Sequence, residues 1–247
     1  MNIGINPTHF YKAAVWEENR TLTEILELVR LAGFRHLNIN AASPKDAEVF
    51  MNTVMTYANH AKMMGAGILV VHADEFDYAN RPYTGRAALE YNYQTFYNLV
   101  DFAEKNGMRV AFENTFQEAG MVTQPHFCSL VDDLLALVDR YHTDAVGICW
   151  DTGHAKMQYK NKDMAALKEV IDRVICTHIH DNYYEKDLHC FPCMGTVQWK
   201  ELMEILRNAN YQGDFSFELV YDRLPKALAP DYLKLLYRTG EYLINEL

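Results

Sequence analysis

Short apolar runs of the kind found in buried strands alternate along this chain with longer amphipathic segments of the kind found in helices. One helix is predicted over residues 21–32, where leucine, isoleucine and valine recur at near-helical spacing. Gly33, Gly65 and Gly107 each follow such a segment and precede a strand, and glycine suits the left-handed position that closes a helix. The predicted strands cover residues 2–5, 36–39, 68–72, 109–113, 146–150, 174–178 and 215–218.

This repeated order of helix, glycine and strand indicates an α/β protein with a parallel sheet covered by helices. Both a TIM-type (β/α) barrel and a doubly wound open sheet fit that order. The chain contains no GxGxxG and no GxxxxGK[ST] motif, so neither a dinucleotide site nor a P-loop is supported. Since no low-complexity linker divides the 247 residues, we expect a single domain over residues 1–247.

Groups that bind metals or transfer protons end the last five predicted strands. In chain order they are His72, Glu113, Asp151, His178 and Glu218. The carboxyl ends of barrel strands meet at one mouth, where residues distant in sequence converge. Carboxylates with one imidazole suit Mn²⁺, Mg²⁺, Co²⁺ or Zn²⁺ and leave coordination positions open for substrate. The strand ends therefore favour the barrel and predict a divalent metal ion at its mouth.

Two motifs beside these strand ends add candidates. In GICWDTGH, residues 147–154, an apolar run ends on Asp151, and His154 is expected in the following loop, facing whatever the metal holds. In HIHDN, residues 178–182, His178 and His180 point to the same side of an extended strand. Only His178 ends the apolar run, so we predict it as the ligand and His180 as a hydrogen-bonded supporting group or a surface group.

Five segments together resemble one known superfamily: AFENT (111–115), DTGH (151–154), HIHDN (178–182), DLH (187–189) and FSFELV (215–220). The resemblance is to the xylose-isomerase-like barrels, which include sugar isomerases, sugar epimerases and a family of AP endonucleases, and it runs in register over roughly residues 67–220. It implies that one divalent ion is held by four residues: Glu113, Asp151, His178 and Glu218.

The same resemblance implies roles for other polar residues around the mouth. In sugar epimerases of the superfamily, the residue matching His154 contacts substrate oxygen. In the endonucleases, positions matching His72, His154, Asp187 and His189 hold additional zinc ions. For this chain we therefore expect those four residues to contact substrate, with His154, Asp187 and His189 forming a site for a second ion.

The expected function is that of a divalent-metal-dependent sugar or sugar-phosphate isomerase or epimerase acting through an enediolate intermediate. Glu113 and Glu218, which come from well-separated strands, would flank the reacting carbon as base and acid. Two alternatives stay open. One is an AP-endonuclease-like phosphodiesterase, and the other is a degenerate barrel that binds a metal and a ligand without turnover.

The chain departs from the superfamily between residues 39 and 68. Members usually have a helix, a strand and another helix there, whereas this interval has room for a single helix over residues 44–64. We therefore predict a barrel of seven strands that lacks one βα unit, with a homo-oligomer contact at the resulting open edge. Asn38 and Asn40 stand where an acidic residue usually ends the second strand.

Composition limits the partners. A net charge of −10 disfavours nucleic acid, whose binding depends on Lys and Arg at phosphates. No apolar stretch approaches the ~18 residues of a membrane span, and the first residues do not resemble a signal peptide. Cys149 and Cys176 lie inside apolar runs, which suits a cytoplasmic, reducing setting, and the Cys190 and Cys193 pair lacks the second CxxC of a zinc site.

Weaker candidates lie near the predicted mouth. Lys156 follows the DTGH segment and is considered for contact with a phosphate, although a solvated role is the ordinary one for lysine. Phe10 and Trp16, in the loop after the first strand, are considered as lining residues.

Overall fold

The computed structural model describes residues 1–5, 22–33, 36–37, 47–63, 65–73, 82–117, 126–184, 186–220 and 224–247. In these residues the strands are β1 (Asn2–Ile5), β2 (His36–Leu37), β3 (Ile68–His72), β4 (Arg109–Glu113), β5 (Val146–Asp151), β6 (Val174–Ile179), β7 (Asp181–Tyr183), β8 (Lys186–Cys190) and β9 (Asp214–Phe217). The α-helices are α1 (Leu22–Ala32), α2 (Ala47–Met63), α3 (Gly85–Lys105), α4 (Val131–Arg140), α5 (Thr152–Tyr159), α6 (Asp163–Val170), α7 (Trp199–Asn208) and α8 (Ala229–Glu246).

Seven of these strands form one parallel sheet in the order β2-β1-β9-β6-β5-β4-β3. The strands β7 and β8 form a separate antiparallel hairpin. In the described part of the chain, β2 and β3 are the two edges of the large sheet, and α2 lies between them in sequence. This arrangement agrees with the predicted position of the missing unit, while the strand number of the whole chain stays a prediction.

Helices form where apolar residues recur every three or four positions, because these residues then share the helix face that packs on the sheet. In α4 the buried residues Val131, Leu134, Leu137 and Val138 follow a spacing of three and four. Acidic residues in its first turn and Arg140 in its last complement the helix dipole. The amphipathic pattern therefore orients α4 with its apolar face toward the core.

Successive side chains of a strand point to opposite faces of the sheet, so the two faces belong to two different apolar clusters. Phe215 and Phe217 are fully buried in the large cluster that includes helix residues, and burying each contributes ~1.5–3 kcal/mol. A second, smaller cluster contains Val70, Ala111, Cys149 and Cys176 from four neighbouring strands. Polar groups two residues further along these strands then reach the carboxyl edge of the sheet.

Most predicted boundaries agree with the structure to within a few residues. The predicted helices over residues 21–32 and 44–64 correspond to α1 and α2. Gly33, Gly65 and Gly107 have φ values of 114°, 76° and 66°, as expected for residues that close helices. The β7–β8 hairpin was not predicted. Phe10, Trp16, Asn38 and Asn40 lie outside the described residues.

Candidate active site

Four buried side chains converge at the carboxyl ends of four strands that are neighbours in the sheet. Glu113 ends β4, Asp151 ends β5, His178 lies near the end of β6, and Glu218 directly follows β9. One donor atom from each of the four lies within 4.8 Å of the others. The structure therefore brings together the four residues that the sequence predicted as metal ligands.

The donors crowd around a common point at ion-pair distances. His178 Nδ1 lies 3.1 Å from Glu113 Oε2 and 2.9 Å from Glu218 Oε2. Yet Glu113 Oε1, Glu113 Oε2 and both ring nitrogens of His178 are buried without a hydrogen-bond partner. Buried polar atoms normally have partners, and oxygen and nitrogen donors that share one centre fit a divalent cation.

The protonation states of this cluster follow from burial and opposite charge. Burial opposes ionisation of Glu113, but attraction to His178 and His72 outweighs it and holds the pKa of Glu113 well below its ordinary value. Burial likewise disfavours the His178 cation, but the carboxylates of Glu113 and Glu218 raise the pKa of His178 well above its ordinary value. In this environment His178 is favoured as the imidazolium cation, and a bound metal ion would replace that positive charge.

His154 connects this cluster to the mouth. Its Nδ1 lies 2.9 Å from the carbonyl oxygen of Asn114, to which it donates, and 3.3 Å from Glu113 Oε1. Its Nε2 lies 3.5 Å from Asp187 Oδ2. The expectation that His154 lies in a loop is wrong, because the carboxylate of Asp151 accepts from the His154 backbone N–H at 2.6 Å and so caps α5.

The unpredicted hairpin carries Asp187 and His189 to the mouth. His189 Nε2 lies 2.9 Å from Asp187 Oδ2, and His189 Nδ1 donates to the carbonyl of Glu218 at 3.0 Å. Burial opposes the charge on His189, but its bond to Asp187 raises its pKa to about 9. Donor atoms of His154, Asp187 and His189 lie within 4.8 Å of one another, as a second cation site requires. His72 also lies beside this cluster, with its Nε2 3.2 Å from Glu113 Oε2.

The carboxylate of Asp181 anchors the base of this hairpin. Its Oδ1 accepts from the backbone N–H groups of Asn182 at 2.9 Å and Val197 at 3.1 Å, and its Oδ2 accepts from the Trp199 indole at 3.0 Å. Asn182 in turn accepts from the Leu188 backbone N–H at 3.1 Å. A buried carboxylate with three donors fixes the direction in which the hairpin leaves the sheet.

Sequence reasoning missed the supporting role of Asn114. Its side chain accepts from the Asp151 N–H at 2.7 Å and donates to the Asp151 carbonyl at 3.1 Å. The signal was present, because Asn114 directly follows the strand-end Glu113 in AFENT. His180 is fully buried and bonded to Asp151, so its predicted hydrogen-bonded role agrees with the structure and the surface alternative does not.

Lys156 neither meets solvent nor faces the metal-binding cluster. It is fully buried, with Nζ 2.9 Å from Asp163 Oδ2, 2.6 Å from Gln198 Oε1 and 3.1 Å from the Lys160 carbonyl. The suggestion that it contacts a phosphate is therefore wrong, because its charge is paired with Asp163 and its two hydrogen bonds are made inside the protein. Cys190 and Cys193, like the other three cysteines, are free thiols.

A family model described as a xylose isomerase-like TIM barrel matches residues 10–239. The chain belongs to this family. The match confirms the resemblance drawn from the five sequence segments and the TIM-barrel fold. Among the described residues, no helix combines the length and the apolar character needed to cross a membrane.

Curated relatives match only in part. An uncharacterized protein of Methanocaldococcus jannaschii is 24% identical over 198 residues, which are 78% of this chain and 64% of that protein. The matched parts of the first two such relatives are 28% and 64% of their own lengths. This chain therefore corresponds to less than two thirds of each.

Solved structures match over nearly the whole chain. A D-tagatose 3-epimerase-like protein has a TM-score of 0.73 at 18% identity and covers 100% of this chain and 99% of its own. A structure described as IOLI protein with a binding zinc atom has a TM-score of 0.73 at 15% identity, with 100% and 99% coverage. At such identities the likeness establishes the fold, and several neighbours of this fold are described as sugar epimerases.

Proposed function

We propose that this protein is a metal-dependent sugar isomerase or epimerase. The convergence of four buried donors at the mouth carries the proposal, because donors within 4.8 Å of one another suit one ion and a non-catalytic descendant need not keep that geometry. Glu113, Asp151, His178 and Glu218 would hold the ion. When bound, it would polarise neighbouring carbonyl and hydroxyl oxygens of a ketose and so acidify the adjacent carbon-bound hydrogen.

The two glutamates are suited to move the proton. Glu113 directs Oε2 toward His178 and Oε1 toward His154, so one carboxylate oxygen remains for a substrate proton when the other is a ligand. Attraction to His178 keeps the pKa of Glu218 low despite burial, so both glutamates are anionic at neutral pH. Two strands separate β4 from β9, which allows one glutamate to remove the proton from one face of the substrate carbon and the other to return a proton to the opposite face of the resulting enediolate.

Polar groups around the mouth would bind the sugar. His72, His154, Asp187 and His189 present ring nitrogens and carboxylate oxygens above the glutamates, and hydroxyl groups hydrogen-bond to both kinds of atom. The sugar epimerases among the solved structures support a small-molecule sugar as substrate. The family match over residues 10–239 supports one domain, while self-association and a cytoplasmic setting stay predictions.

Hydrogen exchange at the substrate carbon tests this function. Protein loaded with Mn²⁺, Co²⁺, Mg²⁺ or Zn²⁺ is incubated in D₂O with a panel of ketoses and ketose phosphates, and deuterium next to the carbonyl is measured by NMR. Glu113→Gln and Glu218→Gln are each expected to slow exchange by ~10²–10⁴-fold. Glu204→Gln, an exposed change on α7, is the matched control and keeps the rate. Absence of exchange across the panel, or unchanged exchange in Glu218→Gln, contradicts the proposal.

One observation favours a second candidate, a metal-dependent phosphodiesterase. The donors of His154, Asp187 and His189 form a further cluster beside the first, and several cations in one site can stabilise both oxygens of a phosphoryl displacement. The net charge of −10 weighs against a polyanionic substrate. Cleavage of duplex DNA carrying an abasic site at low salt tests this candidate, and no binding under those conditions removes it.

A further inference from the structure

The ring of His180 lies directly behind the carboxylate of Asp151. It is fully buried, and its Nε2 lies 2.9 Å from Asp151 Oδ2 and 3.0 Å from Oδ1. Carboxylate oxygens accept hydrogen bonds, so this nitrogen carries the proton and donates to both oxygens. A donor shared by both oxygens fixes the rotation of the carboxylate about its own axis.

His180 supplies a hydrogen bond to Oδ2 of Asp151, whereas the backbone bond reaches Oδ1. The His154 N–H bonds to Oδ1 alone, and Asn114 bonds to the main chain of Asp151 rather than to its side chain. Without His180, the carboxylate would keep the helix-capping bond and the 3.7 Å contact to His154 Nδ1, and both of these are made by Oδ1. The direction of Oδ2 depends on the imidazole.

His180 is itself held in place, at its backbone by Thr152 and at its ring by His189. The His180 backbone N–H donates to Thr152 Oγ1 at 3.1 Å, and the His180 carbonyl accepts from the same hydroxyl at 2.7 Å. The His189 ring stacks on it at 4.0 Å with an interplanar angle of 14°. A Cβ at Gly153 would overlap the His180 ring, so the ring occupies the space that a side chain there would fill.

We propose that His180 is a positioning residue that orients Asp151 toward the bound metal ion, and that Gly153 is glycine so that this ring reaches the carboxylate. The inference rests on the metal centre of the proposed function. Outer partners of metal ligands typically contribute ~10–100-fold to metal affinity. In this site the effect arises from one hydrogen-bond donor, since the imidazole is not among the four converging donors.

Metal affinity of the metal-free protein tests the role without depending on turnover. Mn²⁺ is titrated into wild type and variants by calorimetry, with free Mn²⁺ followed by electron paramagnetic resonance. His180→Leu removes the donor and is expected to weaken binding ~10–100-fold. His180→Gln keeps a nitrogen donor at similar reach and is expected to retain most of the affinity. His60→Leu and His60→Gln, at an exposed position of α2, are the matched controls and bind as wild type does.

Gly153→Ala provides an independent variant if His180→Leu does not fold. Alanine adds one methyl group and no polar atom, so weaker Mn²⁺ binding in a stably folded Gly153→Ala reports displacement of the ring. Wild-type affinity in folded Gly153→Ala or His180→Leu overturns the inference, as does equal loss in His180→Gln and His180→Leu. A wild type that binds no Mn²⁺ overturns the metal centre together with the inference, whereas unchanged tight binding in the variants overturns the positioning role alone.

Discussion

Replacement of Lys156 with methionine should strongly destabilise the protein. The lysine in α5 and Asp163 at the start of α6 form an ion pair at 2.9 Å, with side chains that are 0% and 2% exposed. Methionine keeps most of the aliphatic stem but removes the charge. The carboxylate of Asp163 then stays buried without its cation, and Gln198 loses a charged donor at 2.6 Å.

The magnitude follows from leaving one charge unpaired. Removal of one partner of a buried pair typically costs ~3–5 kcal/mol, because the remaining ion has lost its hydration without compensation. A domain has a total stability of ~5–15 kcal/mol, so this loss is a large fraction of it. At ~2–4 °C per kcal/mol for a chain of this size, the melting temperature should fall by ~6–20 °C.

An exposed ion pair between α6 and α7 gives the matched control. Lys168 and Glu201 lie 3.1 Å apart, but their side chains are 57% and 47% exposed. Lys168→Met is therefore expected to cost ~0–1 kcal/mol. Both variants are measured by urea unfolding, followed by circular dichroism and fluorescence, together with thermal unfolding.

A double variant separates the lost charge from lost packing. Lys156→Met combined with Asp163→Asn removes both charges, and it should recover about half or more of the loss seen in Lys156→Met alone. The reasoning is refuted if Lys156→Met costs no more than Lys168→Met. It is also refuted if the double variant is as unstable as the sum of the two single variants.

Two further outcomes are expected. Carboxylates raise the pKa of His178 above its ordinary value despite burial, and ligation needs the neutral ring, so Mn²⁺ binding at neutral pH should release a proton and tighten as pH rises toward that pKa. Calorimetry in two buffers of different ionisation enthalpy measures this release, and equal heats would argue against it. Gly107→Ala should cost ~1–2 kcal/mol because φ is 66°. Gly67→Ala, which meets no atom within 4 Å and lies outside the left-handed region, should stay within ~0.5 kcal/mol, and equal urea midpoints would contradict the difference.

The strand-end residues were predictable because two separate signals coincide on them. An apolar run defines where a strand ends, and parallel strands of a barrel place their carboxyl ends together, so Glu113, Asp151 and His178 could be expected at one mouth. The start of α5 was harder to predict. Asp151 serves both the metal-binding cluster and the helix cap, and the apolar run before it indicated only the first of these roles.

Features that depend on distant partners could not be read from the chain. Lys156 is buried because Asp163 and Gln198 reach it from α6 and from the residue before α7, and no local pattern marks a lysine as paired. The β7–β8 hairpin lacks the alternation of apolar and polar residues that identifies a strand. Its position depends on Asp181, whose donors include Val197 and Trp199 beyond the hairpin.

The anchoring of the hairpin at Asp181 separates the residues that set its direction from the residues that it delivers to the mouth. The bonds that set its angle involve Asn182, Val197 and Trp199 at its base, whereas the two groups it delivers to the mouth, Asp187 and His189, lie on the returning strand. Beyond the base, the Tyr184 hydroxyl donates to Asn161 Oδ1 at 2.9 Å, so the hairpin is also fixed to the residues that follow α5. A protein engineer who keeps Asp181 and Tyr184 can therefore vary Asp187 and His189, and with them what the mouth admits, while the four converging donors stay in place.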